Sequence, residues 1–190
     1  MRTFIAIELP KEIKDFLSRI QEQLKTSRAE VKWVEPKNIH LTLKFLGEID
    51  NEKQNKITKI IEDVASAKKS FLLRLSSLGA FPKIDFPRVI WLGIDQGDKE
   101  TKEIAKELEE KINKLGIPKE ERPFSSHITI GRTRSAINRE KLVQDLKILE
   151  NNFGEKNLEF LVNKITLYKS TLTPSGPIYE ILREIDLKTT

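Results

Sequence analysis

Two stretches of the chain repeat one another, and that repetition restricts the fold more than any single segment does. "HLTL" opens at His40 and "HITI" at His127, and these are the only two histidines among 190 residues. Around each motif the same order of elements recurs. "TFIAIEL" reads as a strand, followed by an amphipathic helix from Pro10 with Ile13, Phe16, Leu17, Ile20 and Leu24 on one stripe. "VKWV" and "NIHLTLKFLG" read as strands, "DNEKQNKITKIIEDVASAKK" as a helix capped by Asp50 or Asn51, and "SFLLRLSSLGAF" as a strand. The second half follows suit: "RVIWLGI" a strand, "DKETKEIAKELEEKINKLG" a helix ending at Gly116, "SSHITIGR" a strand, "NREKLVQDLKILENN" a helix, and "NLEFLVNKITLY" a strand.

Any α+β protein alternates strands and helices, so the order alone is weak; the offsets are what carry the case. Arg2 lies 38 residues before His40 and Arg88 lies 39 before His127. Pro36 and Pro123 each precede a histidine by four positions, and Phe71 and Leu158 each begin a strand 31 residues after one. The expectation is an internal duplication within a single domain over 1–190. Its pseudo-symmetric halves would cover about 1–80 and 88–190, joined by "GAFPKIDFPR", with "PIYEILREIDL" as a final strand.

Bulk properties set outer limits. Hydrophobic residues at 38% with charged residues at 33% describe a globular chain long enough for one sizeable core. With no cysteine, disulfides, thiolate metal sites and a cysteine nucleophile are excluded. The apolar run near the N-terminus ends at Glu8, far short of a secretory core or a membrane span, so a cytoplasmic protein with no membrane partner is expected. The net charge of +5 suits an anionic partner, although lysines and glutamates are interspersed.

The repeated motif supplies the chemistry. Side chains alternate along a strand, so His40 shares a face with Thr42 and His127 with Thr129, while Leu41, Leu43, Ile128 and Ile130 take the opposite face into a core. If the halves are related by a pseudo-two-fold axis, the two polar faces meet across a cleft. Two imidazoles there form a general acid and base pair, because histidine holds either protonation state near neutral pH. Threonine hydroxyls can donate to an anionic oxygen between them, which suits phosphorus, whose charge resides on non-bridging oxygens. One such motif alone is usually structural; the pair is informative. Neither histidine has an Asp or Glu at metal-ligand spacing in its own strand, and neither a P-loop nor a G-x-S-x-G turn is present.

"HLTL" and "HITI" together resemble the motifs of the two-histidine (2H) phosphoesterases, and within them the RNA 2′,3′-cyclic phosphodiesterases, long called 2′-5′ RNA ligases. The likeness extends to "RTFIAIELP", "HLTLKFLGE", "AFPKIDFPRVIWLGI" and "STLTPSGPIYEIL", nearly the whole chain. It implies an α+β, bilobed fold with two antiparallel sheets lining a central cleft and helices outside. It implies His40 as proton donor and His127 as proton acceptor, with Thr42 and Thr129 holding phosphate oxygens. The substrate implied is RNA with a 2′,3′-cyclic phosphate end, or a nucleotide, opened to a 2′-phosphomonoester with no metal and no cofactor; a monomer is expected.

Arg132 stands where relatives place a basic residue and is assigned a phosphate contact. Five residues after His127, however, it points to the opposite face of an ideal strand unless Gly131 bends or bulges the chain. Phe45 is a candidate wall for a base or ribose, with Trp33, Phe81 and Phe86 behind it, although core packing is the commoner use of such residues. Two alternatives remain open: joining RNA ends through a 2′-5′ linkage by the reverse reaction, and a non-catalytic RNA or nucleotide binder.

Overall fold

The computed structural model describes residues 1–154 and 156–189. Its elements are β1 (Arg2–Glu8), α1 (Lys11–Lys25), β2 (Val31–Trp33), β3 (His40–Glu48), α2 (Asn51–Ser66), β4 (Phe71–Lys83), β5 (Phe86–Ile94), α3 (Asp98–Asn113), β6 (His127–Thr133), α4 (Arg139–Phe153), β7 (Leu158–Val162), β8 (Lys164–Thr173) and β9 (Gly176–Asp186). Two antiparallel sheets result, ordered β3-β1-β8-β9 and β2-β6-β5-β4-β7. The duplication is as the spacing predicts, and the α+β class, the paired antiparallel sheets and the two-lobed arrangement are as the family resemblance implies.

Helix positions follow from stripe and cap. On α1 the buried residues Ile13, Phe16, Leu17, Ile20 and Leu24 are the predicted stripe. Asp50 caps α2, its Oδ1 accepting from the Lys53 backbone N–H at 2.8 Å, an arrangement that contributes about 1 kcal/mol. Helix α2 packs on β8 and β9 and beside α3, which reaches β3; α4 covers β4 and β5 and holds α1. The helices lie on one face of each sheet, and the other face is left for the cleft.

The halves are interleaved rather than stacked. β3 and β1 correspond to β6 and β5, each pair carrying its histidine motif on the first strand. Beside β1 in the first sheet stands β8, and beside β5 in the second stands β4, so each motif pair is extended by a strand from the other half of the chain. The equal 31-residue offsets of Phe71 and Leu158 are therefore a match of spacing only, since β4 and β7 are direct neighbours in one sheet. "NLEFLVNKITLY" is not one strand: it breaks at Asn163 into β7 and β8, which enter different sheets. "GAFPKIDFPR" is the hairpin of β4 and β5.

One continuous core, including Ile5, Ile7, Leu41, Leu43, Ile128 and Ile130, fills the space between sheets and helices. A smaller cluster of Phe4, Ala6 and Tyr168, with Tyr179 against it, lies apart, on the side of β1 that carries alternate residues.

Candidate active site

The two motif strands run close together where the sheets meet. Their polar faces line one cleft of about 760 Å³, to which His40, Thr42, His127, Thr129, Arg132 and Phe45 all contribute. All five of the expected catalytic and substrate-binding residues are therefore brought together.

Each imidazole is anchored in the same way. His40 Nδ1 lies 2.7 Å from the Asn38 carbonyl, and His127 Nδ1 lies 2.7 Å from the Ser125 carbonyl. A carbonyl only accepts, so both Nδ1 atoms carry the proton and donate. Nε2 is then the working nitrogen of each ring. In His40 it sits 2.8 Å from the Thr42 hydroxyl, which donates to it while the ring is neutral. In both motifs the anchor is the backbone two residues upstream, a consequence of local geometry that the duplication copied.

Aromatic rings support both histidines. Phe4 lies 4.8 Å from the His40 ring centroid, and Tyr179 meets that ring edge-on at 5.5 Å. Phe81 meets His127 edge-on at 5.2 Å and itself rests on Trp91 at 5.1 Å. Gly79 leaves room for that indole, since a Cβ there would stand 2.6 Å from the Trp91 ring. The aromatic packing takes His40 out of water, which lowers its pKa; the Asn38 carbonyl and the Glu8 carboxylate oppose that shift more weakly. Glu8 is in turn held by the Tyr168 hydroxyl and the Lys14 ammonium.

Arg132 reaches the cleft through an irregularity in the strand. β6 pairs Thr129 with Trp91 and Gly131 with Ile90, which leaves Ile130 unmatched and turns Arg132 over to the histidine's face. The Ile130 carbonyl, displaced from the ladder, accepts from the Gln21 side-chain amide at 2.9 Å and from the Val34 backbone at 3.0 Å. β3 does the same at the equivalent place: Thr42 pairs with Ala6 and Lys44 with Ile5, leaving Leu43 unmatched. Phe45, also five residues past its histidine, is turned over in the same way and is 56% exposed at the cleft. Phe45 and Arg132 are thus positional counterparts, one presenting an apolar face and the other a cation.

Of the remaining aromatic candidates, Phe81 lies in β4 with its ring against His127. Trp33 lines an adjoining recess, whereas Phe86 lies outside the cleft with the Arg139 guanidinium 4.1 Å above its ring. Phe4, Trp91, Tyr168 and Tyr179 escaped sequence reasoning. Alternation in "RTFIAIE" and "RVIWLGI" puts Phe4 and Trp91 on one face, but nothing local says that this face looks toward a histidine.

The comparisons with known proteins follow the same outline. Residues 7–91 and 92–179 each match the LigT like phosphoesterase family. The chain is 41% identical to an RNA 2′,3′-cyclic phosphodiesterase of Methanocaldococcus jannaschii, covering 97% of this chain and 99% of that one. It is 37% identical to the Thermotoga maritima protein of the same name, over 97% and 94%. Among solved structures, TT0787 of Thermus thermophilus superposes with a TM-score of 0.81 at 27% identity, covering 100% of this chain and 99% of that one. LigT of E. coli, complexed with 3′-AMP, superposes with a TM-score of 0.80 at 28% identity, covering 98% and 97%. Two successive family matches retrace the duplication that the paired histidines announce, and the chain belongs to the LigT like phosphoesterase family.

Proposed function

We propose that this protein hydrolyses the 2′,3′-cyclic phosphate end of RNA to a 2′-phosphomonoester, with His127 as general base and His40 as general acid. The observation that carries the reading is the matched anchoring of the two rings, each donating through Nδ1 to a carbonyl and keeping Nε2 for the substrate. The relatives named for this activity match along nearly their full length, which supports the same substrate class. His127 Nε2 takes a proton from water as its oxygen attacks phosphorus. The bond from phosphorus to the 3′ oxygen breaks, and that oxygen takes a proton from His40 Nε2, leaving a free 3′ hydroxyl and a phosphate on the 2′ oxygen. Thr42, Thr129 and Arg132 donate to the non-bridging oxygens, where charge resides throughout. The chain's own groups supply every proton transfer, so the chemistry is proposed to run without a metal.

End-group determination on an oligonucleotide 2′,3′-cyclic phosphate, incubated with chelator present, tests the proposal. A 2′-phosphate is expected, and His40→Ala or His127→Ala should each lower kcat by about 10²- to 10⁴-fold. A 3′-phosphate product contradicts the two assigned roles; normal turnover by either variant removes the mechanism. Adding a 5′-hydroxyl fragment to the same incubation weighs joined against hydrolysed product, since microscopic reversibility lets one site run both ways.

A further inference from the structure

A second recess, of about 660 Å³, opens directly beside the cleft and shares Phe4, Val34, Phe45, Arg132 and Tyr179 with it. Its own lining adds Arg2, Lys32, Arg134 and Trp33. Arg2, Lys32, Arg132 and Arg134 are all exposed, and among the described residues none of their charged groups is engaged in an ion pair or a side-chain hydrogen bond. The recess also holds two carboxylates, but Glu35 is paired with Lys37 at 3.0 Å and Glu48 with the N-terminal ammonium at 3.1 Å. Lys32 and Arg132 stand opposite one another on β2 and β6, so two cations face the recess from neighbouring strands.

Unengaged cations beside aromatic surface are what a single strand of RNA requires, the cations for its phosphodiesters and flat rings for its bases. The size also fits, because a volume in the range of roughly 300–1,000 Å³ suits a small ligand or one unit of a larger one. At the opposite end of the cleft the charges alternate. Lys119, Glu120, Glu121 and Arg122 follow one another there, and Lys106 also lines that end. Among the described residues neither Glu120 nor Glu121 has an ion-pair partner, while Lys44 and Lys102 are already paired with Glu109 and Asp98. A polyanion leaving the cleft meets less repulsion on the recess side.

We propose that this recess binds the nucleotide immediately 5′ of the cyclic phosphate, with Lys32 and Arg134 on its phosphodiester and Trp33 and Tyr179 against its base. The protein then acts on oligonucleotide ends in preference to cyclic mononucleotides. The inference rests on the cleft's holding the terminal cyclic phosphate, and Arg132, common to both spaces, is the junction between them.

The test compares kcat/KM for a nucleoside 2′,3′-cyclic monophosphate with that for a short oligonucleotide carrying the same terminal nucleotide. Wild-type protein and the Lys32→Ala/Arg134→Ala double variant are measured at several salt concentrations. Wild-type protein should prefer the oligonucleotide by about tenfold or more. The double variant should lose that preference and keep its mononucleotide rate within about twofold, because a mononucleotide has no 5′ neighbour to place in the recess. The slope of log kcat/KM against log salt for the oligonucleotide should become shallower by about 0.7, the value for one single-strand phosphate contact removed. Equal wild-type efficiency on both substrates, or a variant that loses both alike or neither, overturns the inference while leaving the cleft reading intact. A wild-type protein that cuts neither substrate overturns the cleft reading, and this inference with it.

Discussion

As the proposed general acid, His40 would give up a proton, yet its packing beneath Phe4 and Tyr179 favours the neutral ring. The free protein therefore holds less of the acid form than an ordinary histidine would, and an anionic phosphate beside Nε2 would favour its return. One limb of the kcat/KM profile, which reports the free enzyme, belongs to His40, and its midpoint should lie below the ordinary histidine value of about 6.5. In kcat, which reports the bound state, that midpoint should move upward. A kcat/KM profile with both midpoints at or above about pH 7 would remove His40 from the acid role. The same shift bears on stability with a definite sign. A folded-state pKa lowered from about 6.5 means that the unfolded chain binds the extra proton first. This contribution is fully present above that value and is lost as pH falls toward the folded pKa. Denaturant midpoints of His40→Asn should accordingly vary less with pH below about 6.5 than those of the wild-type protein.

At the scale of elements, each motif strand skips one position three residues past its histidine, at Leu43 and at Ile130, and this decides what enters the cleft. Gly131 makes the second irregularity possible, since a Cβ there would stand 2.9 Å from both the Trp33 ring and the Val31 side chain. Gly131→Ala should push β2 away from β6, destabilise the protein by about 1–3 kcal/mol and raise KM through Arg132. Urea denaturation and steady-state kinetics read the two effects, and an unchanged urea midpoint would show that β2 accommodates the methyl group. The histidines and threonines were legible in the sequence because alternation within a single strand is a local property. Arg132 was half legible, through the glycine before it. Phe45 is a candidate wall from the sequence and does line the cleft, but parity is not what puts it there: five residues past His40 an ideal strand points to the opposite face, and register belongs to a pair of strands rather than to one. The rings beneath the histidines were hidden for a related reason. Tyr168 and Tyr179 come from strands whose neighbours are set by the order β3-β1-β8-β9, which no run of residues encodes.

At the scale of the molecule, exchange of strands makes the two lobes interdependent, and a few polar side chains fasten them where the cleft needs rigidity. Gln21 on α1 donates to the carbonyls of Val34 and Ile130, and so ties the first helix to the strand bearing the second motif. Lys44 does the converse. It leaves β3 four residues after His40, its side chain is 1% exposed, and its ammonium lies 2.8 Å from a Glu109 carboxylate oxygen on α3 and 2.9 Å from the Pro118 carbonyl. The segment beyond Pro118 leads to Ser125, whose carbonyl orients His127, so a side chain of the first motif strand steadies the approach to the second histidine. Removing one partner of a buried pair leaves the other charge without compensation, which costs more than the pair itself contributes. Lys44→Met should therefore destabilise the protein by on the order of 3 kcal/mol, moderated because Glu109 keeps some solvent access and still accepts from the Glu120 backbone. Replacing both partners, Lys44→Met with Glu109→Leu, should recover most of that loss, since an apolar pair of similar volume carries no stranded charge. If the tether also positions His127, activity should stay low in the double variant even where stability returns. Recovery of both together would make Lys44 a fastening of the fold alone.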